Sequence, residues 1–385
     1  MGEPKLRFKA DDGSDFPDWE EMTLGDVGSV AMCKRVFKEQ TCEVGDVPFF
    51  KIGTFGGAPD AYISQSLFDE LKSKYAYPKV GTILLSASGT IGRQVEYKGE
   101  DAYYQDSNIV WLEHDDTVLD SYLKQFYSVV KWQGLEGSTI KRLYNKTVLD
   151  TPFYRPSLPE QRKIADCLSA VDAVIAAQQA EVDAWEQRKK GVMQKLFSQE
   201  VRFKADDGSD FPDWTKTRLN KLCEYRTNRG TGRNYIGTEN MLKDFEGVAV
   251  ENGESEGTGS LYEPGDTLMS NIRPYLKKVW TADCEGACST DVLVFHPTNV
   301  VPDFLHYVIA SDSFVTYVMS AAKGSKMPRG DKAHIMQMPV FAPDKDEQRK
   351  IADCLASMDE VVQKSKGELA KWQELKKGLL QQMFV

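Results

Sequence analysis

The stretch "LPEQRKIADCLSAVD" at 158–172 returns, little altered, as "DEQRKIADCLASMDE" at 346–360. The block "EQRKIADCL" is identical in both copies, and matches continue downstream at the same offset. Trp185 answers Trp372, Lys189-Lys190-Gly191 answers Lys376-Lys377-Gly378, and Phe197 answers Phe384. In the first copy Ile164, Leu168, Val171, Ile175, Gln178, Val182, Trp185, Lys189, Val192 and Leu196 follow in alternating steps of four and three. In the second, Ile351, Leu355, Met358, Val362, Ser365, Leu369, Trp372, Lys376, Leu379 and Met383 keep the same steps. That spacing returns to one side of an α-helix every two turns and marks a helix–helix seam. No proline interrupts either run, and Pro159 stands in the first turn, where its missing N–H costs no hydrogen bond. About 38 residues at 1.5 Å each make a rod of roughly 55–60 Å. Two such rods are expected to pack antiparallel as an intramolecular coiled coil. The polar positions Gln178/Ser365 and Lys189/Lys376 are expected to set its register at a cost in stability.

A second repeat frames the first. "RFKADDGSDFPDW" stands at 7–19 and again, verbatim, at 202–214. The order opening, globule, helix therefore occurs twice, a cyclic pattern that an approximate two-fold between half-molecules generates. The expected fold class is α+β: two mixed α/β globules joined by two long antiparallel helices. The expected division is 1–157 and 200–342 for the globules, and 158–199 and 343–385 for the helices. The globules differ in sequence on a shared skeleton. "VGTILLSASGTIG" (80–92) lies over "PGDTLMSNIRPYL" (264–276), and "DSNIVWL" (106–112) over "TDVLVFH" (290–296), each pair reading as buried strands. A helix is expected over each of 117–132 and 301–322. A closing strand is expected at "TPFYRP" (151–156) and "MPVFAP" (338–343).

Composition narrows the function. A chain of 385 residues with 41% hydrophobic and 28% charged side chains is ordinary for a soluble protein. No run approaches a membrane span, and the polar start carries no apolar leader, so no membrane association is expected. Seven cysteines, an odd number, suit reduced thiols in a cytoplasmic protein. Cys284, Cys288 and His296 lack a fourth ligand and the tight spacing of a zinc site. A net charge of −10 argues against a nonspecific nucleic-acid coat, though not against local basic loops. No P-loop is present, and "DTPF" (150–153) has no counterpart in "MPVF", so no catalytic residue, cofactor or metal is expected.

The twin "EQRKIADCL" junctions, "GSTIKRL" and "GSKMPRG" upstream of them, and the "DGSDFPDW" openings together resemble the specificity subunit of type I restriction–modification systems, over nearly the whole chain. The resemblance implies that the globules are target recognition domains, each reading half of a split sequence in double-stranded DNA. It implies that the helices act as spacer and as docking surface for two adenine methyltransferase subunits, with restriction/translocase subunits joining the complex. It also implies that the chain itself performs no chemistry. Because the globules differ, the target is expected to be asymmetric. The competing readings are a free-standing enzyme, a bipartite DNA binder or repressor acting alone, and a scaffold without DNA contact.

Base readout calls on Arg or Lys for guanine and Asn or Gln for adenine, while phosphate contacts use Lys, Arg, Ser or Thr. In the second globule the glycine-broken "CEYRTNRGTGRNY" (223–235) offers Arg226, Asn228, Arg229, Arg233 and Asn234, and "SNIRPYLKK" adds Asn271, Arg273 and Lys277. The first globule offers Lys34, Arg35, Lys38, Ser86, Ser88, Thr90 and Arg93. "GSTIKR" and "GSKMPR" place Ser138, Lys141 and Arg142 opposite Ser325, Lys326 and Arg329, a recurrence that suits phosphate positioning. Val174, Ala177, Ala180 and Ala184, off the seam, form a possible stripe for a partner.

Overall fold

A computed structural model describes residues 4–132, 142–249 and 255–384. Both long repeats are single 40-residue helices, Leu158–Phe197 and Lys345–Phe384. By its contacts the chain divides into two units, Met1–Gln179 with Gly367–Val385, and Ala180–Lys366. Each unit holds one globule and half of each long helix. Among the described residues no helix is long and apolar enough to cross a membrane.

The helix halves run antiparallel within each unit. In the second unit Lys189 pairs with Asp359 and, one turn earlier on the first helix, Glu186 pairs with Lys366, two turns later on the second. In the first unit Lys376 pairs with Asp172, while Leu380, Met383 and Phe384 share a core with Ile164 and Leu168. The heptad positions are the least exposed line: Ile164, Leu168, Val182, Ile351, Leu355, Val362 and Leu369 are buried, and Val171, Ile175, Trp185, Met358 and Trp372 are half-buried. The ends of the seam do a second job. Ile164 and Leu168 pack with Leu24, Val118, Tyr122 and Phe153 of the first globule, and Ile351 and Leu355 with Phe304 and Phe314 of the second. Burial of those leucine and isoleucine side chains contributes about 1.5–3 kcal/mol each.

The opening segment is repeated because it closes a joint. Glu160, fully buried in the first turn of its helix, accepts from Arg7 Nε and Nη2 at 3.1 and 2.9 Å and from Trp19 Nε1 at 3.0 Å. In the other unit Glu347, also fully buried, accepts from Arg202 at 3.1 and 2.8 Å and from Trp214 at 3.0 Å. The neighbouring residues of the block extend the joint. Gln161 accepts from Leu119 N–H and donates to the Pro156 carbonyl, as Gln348 does with Val301 and Pro343. Lys163 and Lys350 donate to the Lys9 and Lys204 carbonyls. A helix N-terminus favours negative charge, and the arginine supplies the counterion that burial demands.

Each globule is closed by an antiparallel strand pair, Glu20–Thr23 with Pro152–Arg155 and Thr215–Arg218 with Pro339–Ala342. Inside, one antiparallel four-stranded sheet recurs. Its order is Gly28–Ala31, Ile109–His114, Ile83–Ser86, Gln94–Glu96 in the first globule, and Cys223–Tyr225, Val292–Pro297, Thr267–Ser270, Val279–Thr281 in the second. Ile83–Ser86 and Thr267–Ser270 are buried throughout, which suits the apolar residues at their centres. The second sheet of each globule differs. In the first, Val47–Phe50 pairs antiparallel with Tyr62–Ile63 and parallel with Tyr103–Tyr104, beside a helix at Gln65–Lys74. In the second, Arg229–Gly232, Gly257–Tyr262 and Gly286–Cys288 form an antiparallel ribbon. The single helix expected over 301–322 is two, Pro302–Ile309 and Asp312–Ser320, because Ser311 caps the second through a bond from Phe314 N–H at 3.1 Å. Cys33, Cys223 and Cys288 are core side chains whose thiols burial pushes up to about 12, so they pack as neutral groups.

Candidate nucleic-acid interface

In the first globule the structure gathers several of the sequence-selected residues around one concavity of about 870 Å³, lined by Arg35, Lys38, Arg142, Gln105 and Asn108. Arg35 pairs with Asp106 at 2.8 Å, and Lys51, on the same wall, pairs with Asp60 at 2.8 Å. Arg142 Nη2 donates to the Ser107 carbonyl at 2.6 Å. Ser88 Oγ donates to Asn108 Oδ1 at 2.9 Å, which ties the 87–93 loop to the same turn. Arg93 turns elsewhere: it donates to the Phe55 carbonyl at 2.8 Å and reaches Thr90 Oγ1 at 3.4 Å. Ser86 is buried and donates to the Thr90 carbonyl. Lys34 lies over the Tyr75 ring at 5.0 Å. Lys141 and Ser138 lie outside the described residues. A second hollow beside the first, lined by Arg142, Tyr144, Asn145 and Lys146, extends the polar surface.

The second globule separates what the sequence grouped. Arg226 is not a free surface cation: its side chain is 16% exposed and binds Asp266 and Glu263. Asp266 is fully buried and also takes His296 Nδ1 at 2.7 Å. Burial works against the Arg226 charge, but the bonds to Asp266 and Glu263 prevail and raise its pKa. Its role is to neutralise a buried carboxylate, which corrects its assignment as an exposed DNA contact. Asn271 is likewise not exposed; it is 6% accessible beneath Gly330, with Oδ1 unpartnered among the described residues. Lys277 is spent on Asp312 at 2.7 Å and on the Phe245 ring. Asn228, Arg229, Arg233 and Asn234 are exposed on and around the ribbon, where Asn234 donates to the Glu285 carbonyl at 3.1 Å.

A second exposed group forms where two loops cross. Arg273, at φ 51°, donates its N–H to the Pro328 carbonyl at 2.8 Å, and Ile272 bridges to Arg329. Arg329 reaches the Asp291 carboxylate at 3.2 and 3.4 Å, and Lys326 and Ser325 are exposed on the same loop. Gln105, Asn108 and Asp291 are not among the candidates the sequence offers; Asn108 and Asp291 are expected inside buried strands, which instead begin at Ile109 and Val292. Their signal was positional: they sit in the turn that enters the second of the two aligned strands.

The arrangement offers amides, arginines and lysines on loops that a rigid four-stranded sheet supports. No group of three or more metal-ligating side chains occurs among the described residues. Comparison with known proteins gives this geometry a context. A family model for the type I restriction modification DNA specificity domain matches residues 17–184. A putative type I restriction enzyme specificity subunit of Haemophilus influenzae is 55% identical over 152 residues, covering 39% of this chain and 40% of that protein. The match therefore spans less than half of that relative. The EcoDI specificity subunit of Escherichia coli is 23% identical over 291 residues, covering 64% of this chain and 65% of its own. Among solved structures, the S subunit of a type I restriction–modification system from M. genitalium superposes with a TM-score of 0.59 at 16% identity, covering 100% of this chain and 99% of the other, a likeness of fold.

Proposed function

We propose that this chain is a specificity subunit of a type I restriction–modification system and reads an asymmetric bipartite sequence in double-stranded DNA, one half through each globule. The long helices dock two adenine methyltransferase subunits and, through them, the restriction/translocase subunits. The chain performs no chemistry itself. One observation carries this reading. The two units repeat the same four-stranded sheet and the same Glu–Arg–Trp joint, yet differ in their second sheet and in the loops these supports present. A constant support under variable loops suits recognition of two different half-sites. The exposed Arg229, Arg273 and Lys326, with Lys38 and Arg142, supply phosphate contacts, which position a protein on DNA without reading sequence.

Exchange of residues 20–157 for the globule of another specificity subunit tests the reading. The recognised sequence is expected to change in one half and keep the other. A target that changes in both halves, or in neither, contradicts the proposal.

A further inference from the structure

We propose that the turn entering the long strand of each four-stranded sheet is the base-reading element, with Gln105 and Asn108 presenting amides in the first globule and Asp291 presenting a carboxylate at the matching place in the second. The proposal rests on the DNA-recognition reading above and names its specificity-determining residues.

Strand register fixes the correspondence. Ser86 pairs with Ile109 and Ser270 with Val292, so Asn108 and Asp291 both stand immediately before the paired strand. The backbone around them repeats: Ala87 N–H donates to the Asn108 carbonyl at 2.7 Å, and Asn271 N–H to the Asp291 carbonyl at 2.7 Å. An arginine from the matching downstream segment closes over the turn each time, Arg142 on the Ser107 carbonyl and Arg329 on the Asp291 carboxylate. The support is constant and the side chain it presents changes from amide to acid, which is what two readers of different bases require.

In the first globule the amides are held in advance. Asn108 Oδ1 accepts from Ser88 Oγ at 2.9 Å, and Gln105 Oε1 accepts from Ile52 N–H at 3.0 Å. Among the described residues neither amide nitrogen has a partner, and both residues are half-buried on the wall of the same concavity. Each carbonyl oxygen keeps a second lone pair, so each amide offers the acceptor and donor that the N6/N7 edge of adenine takes. Ser107, between them, is held at φ 62°, a left-handed conformation that a serine adopts at a cost. Of the cations around the turn, Arg35 and Lys51 are neutralised by Asp106 and Asp60, and Glu43 faces the same space. The hollow is thus close to neutral, as a base edge demands, with Lys38 and Arg142 left for flanking phosphates. Asp291 offers acceptors alone, which fits the N4 amino group of cytosine.

The test uses the full chain purified with its co-expressed methyltransferase subunits, and a randomised duplex library whose bound fraction is sequenced. Asn108→Asp keeps the acceptor for Ser88 Oγ and is expected to replace adenine by cytosine at one position of the first half-site. The change in preference is roughly 5- to 140-fold, with the second half-site unchanged. Asp291→Asn is expected to alter one position of the second half-site alone. Gln105→Glu gives the same readout in the first half-site should Asn108→Asp not fold. A wild-type complex that selects a defined motif, with all folded variants selecting that same motif, overturns this assignment while leaving the DNA-recognition reading intact. A wild-type complex that selects no motif overturns the reading and the assignment together.

Discussion

Arg7→Ala tests the joint between opening segment and long helix. Glu160 is inaccessible to water and receives three bonds, two from Arg7 and one from Trp19. Removing the arginine leaves a buried carboxylate with one donor, and breaking a buried ion pair in this way costs about 3–5 kcal/mol. Arg7 itself is 29% exposed, so water entering the gap holds the loss near the lower end, about 3 kcal/mol. For a unit of this size that lowers the melting temperature by about 6–12 °C. Arg202→Ala is expected to produce an equal loss in the other unit, because its bonds to Glu347 have nearly the same lengths. Calorimetry measures the loss, and hydrogen exchange locates it, in amides of the first globule for Arg7→Ala and of the second for Arg202→Ala. The combination of Arg7→Ala with Glu160→Gln is expected to be less damaging than the sum of the two alone, since a neutral amide needs no counterion. Loss below about 1 kcal/mol, or strict additivity, would mean that Arg7 is not the counterion of the buried Glu160.

Three further outcomes follow from the geometry. Arg226→Ala leaves Asp266 buried with His296 and the Glu263 N–H as its remaining partners, and is expected to destabilise the second unit by about 2–4 kcal/mol, read by urea unfolding. Lys189→Asp is expected to cost about 1–2 kcal/mol, and Asp359→Lys beside it to restore part of that loss, because these half-exposed charges attract across the helix pair. His306 is desolvated and faces the Lys189 charge, which push its pKa down from 6.5 to about 4. Between those values the unfolded chain binds a proton that the folded chain refuses. Stability is therefore full above about pH 6.5 and falls as pH drops toward 4, by up to a few kcal/mol, and His306→Gln is expected to flatten that slope in denaturant titrations.

Elements fixed by local pattern were legible in the sequence. Alternating steps of three and four residues placed both long helices, and their ends moved by only a residue or two, to Leu158–Phe197 and Lys345–Phe384. Register was legible through Lys189 and Lys376, which pair with Asp359 and Asp172. The role of "EQRK" was not, because Glu160 and Gln161 meet partners up to 153 residues away and their burial is a property of the closed joint. Arg226 shows the same limit from the other side. A basic, glycine-broken stretch looks like a nucleic-acid loop until Asp266, 40 residues on, claims its guanidinium. Ser311 broke a periodic apolar run that reads as one helix, since capping depends on where one hydroxyl turns. Asp106, Ser107 and Asn108 read in the sequence as the start of a buried strand, whereas the strand begins at Ile109; the sheet register alone aligns their turn with Asp291.

Mapping methylated adenines in DNA from cells that carry this chain with the proposed methyltransferase subunits tests whether one chain holds two dissimilar readers of a split DNA target. The expected result is one motif of two unlike half-sites across a fixed gap, lost when the chain is deleted. A palindromic or continuous motif, or methylation that persists without the chain, contradicts it.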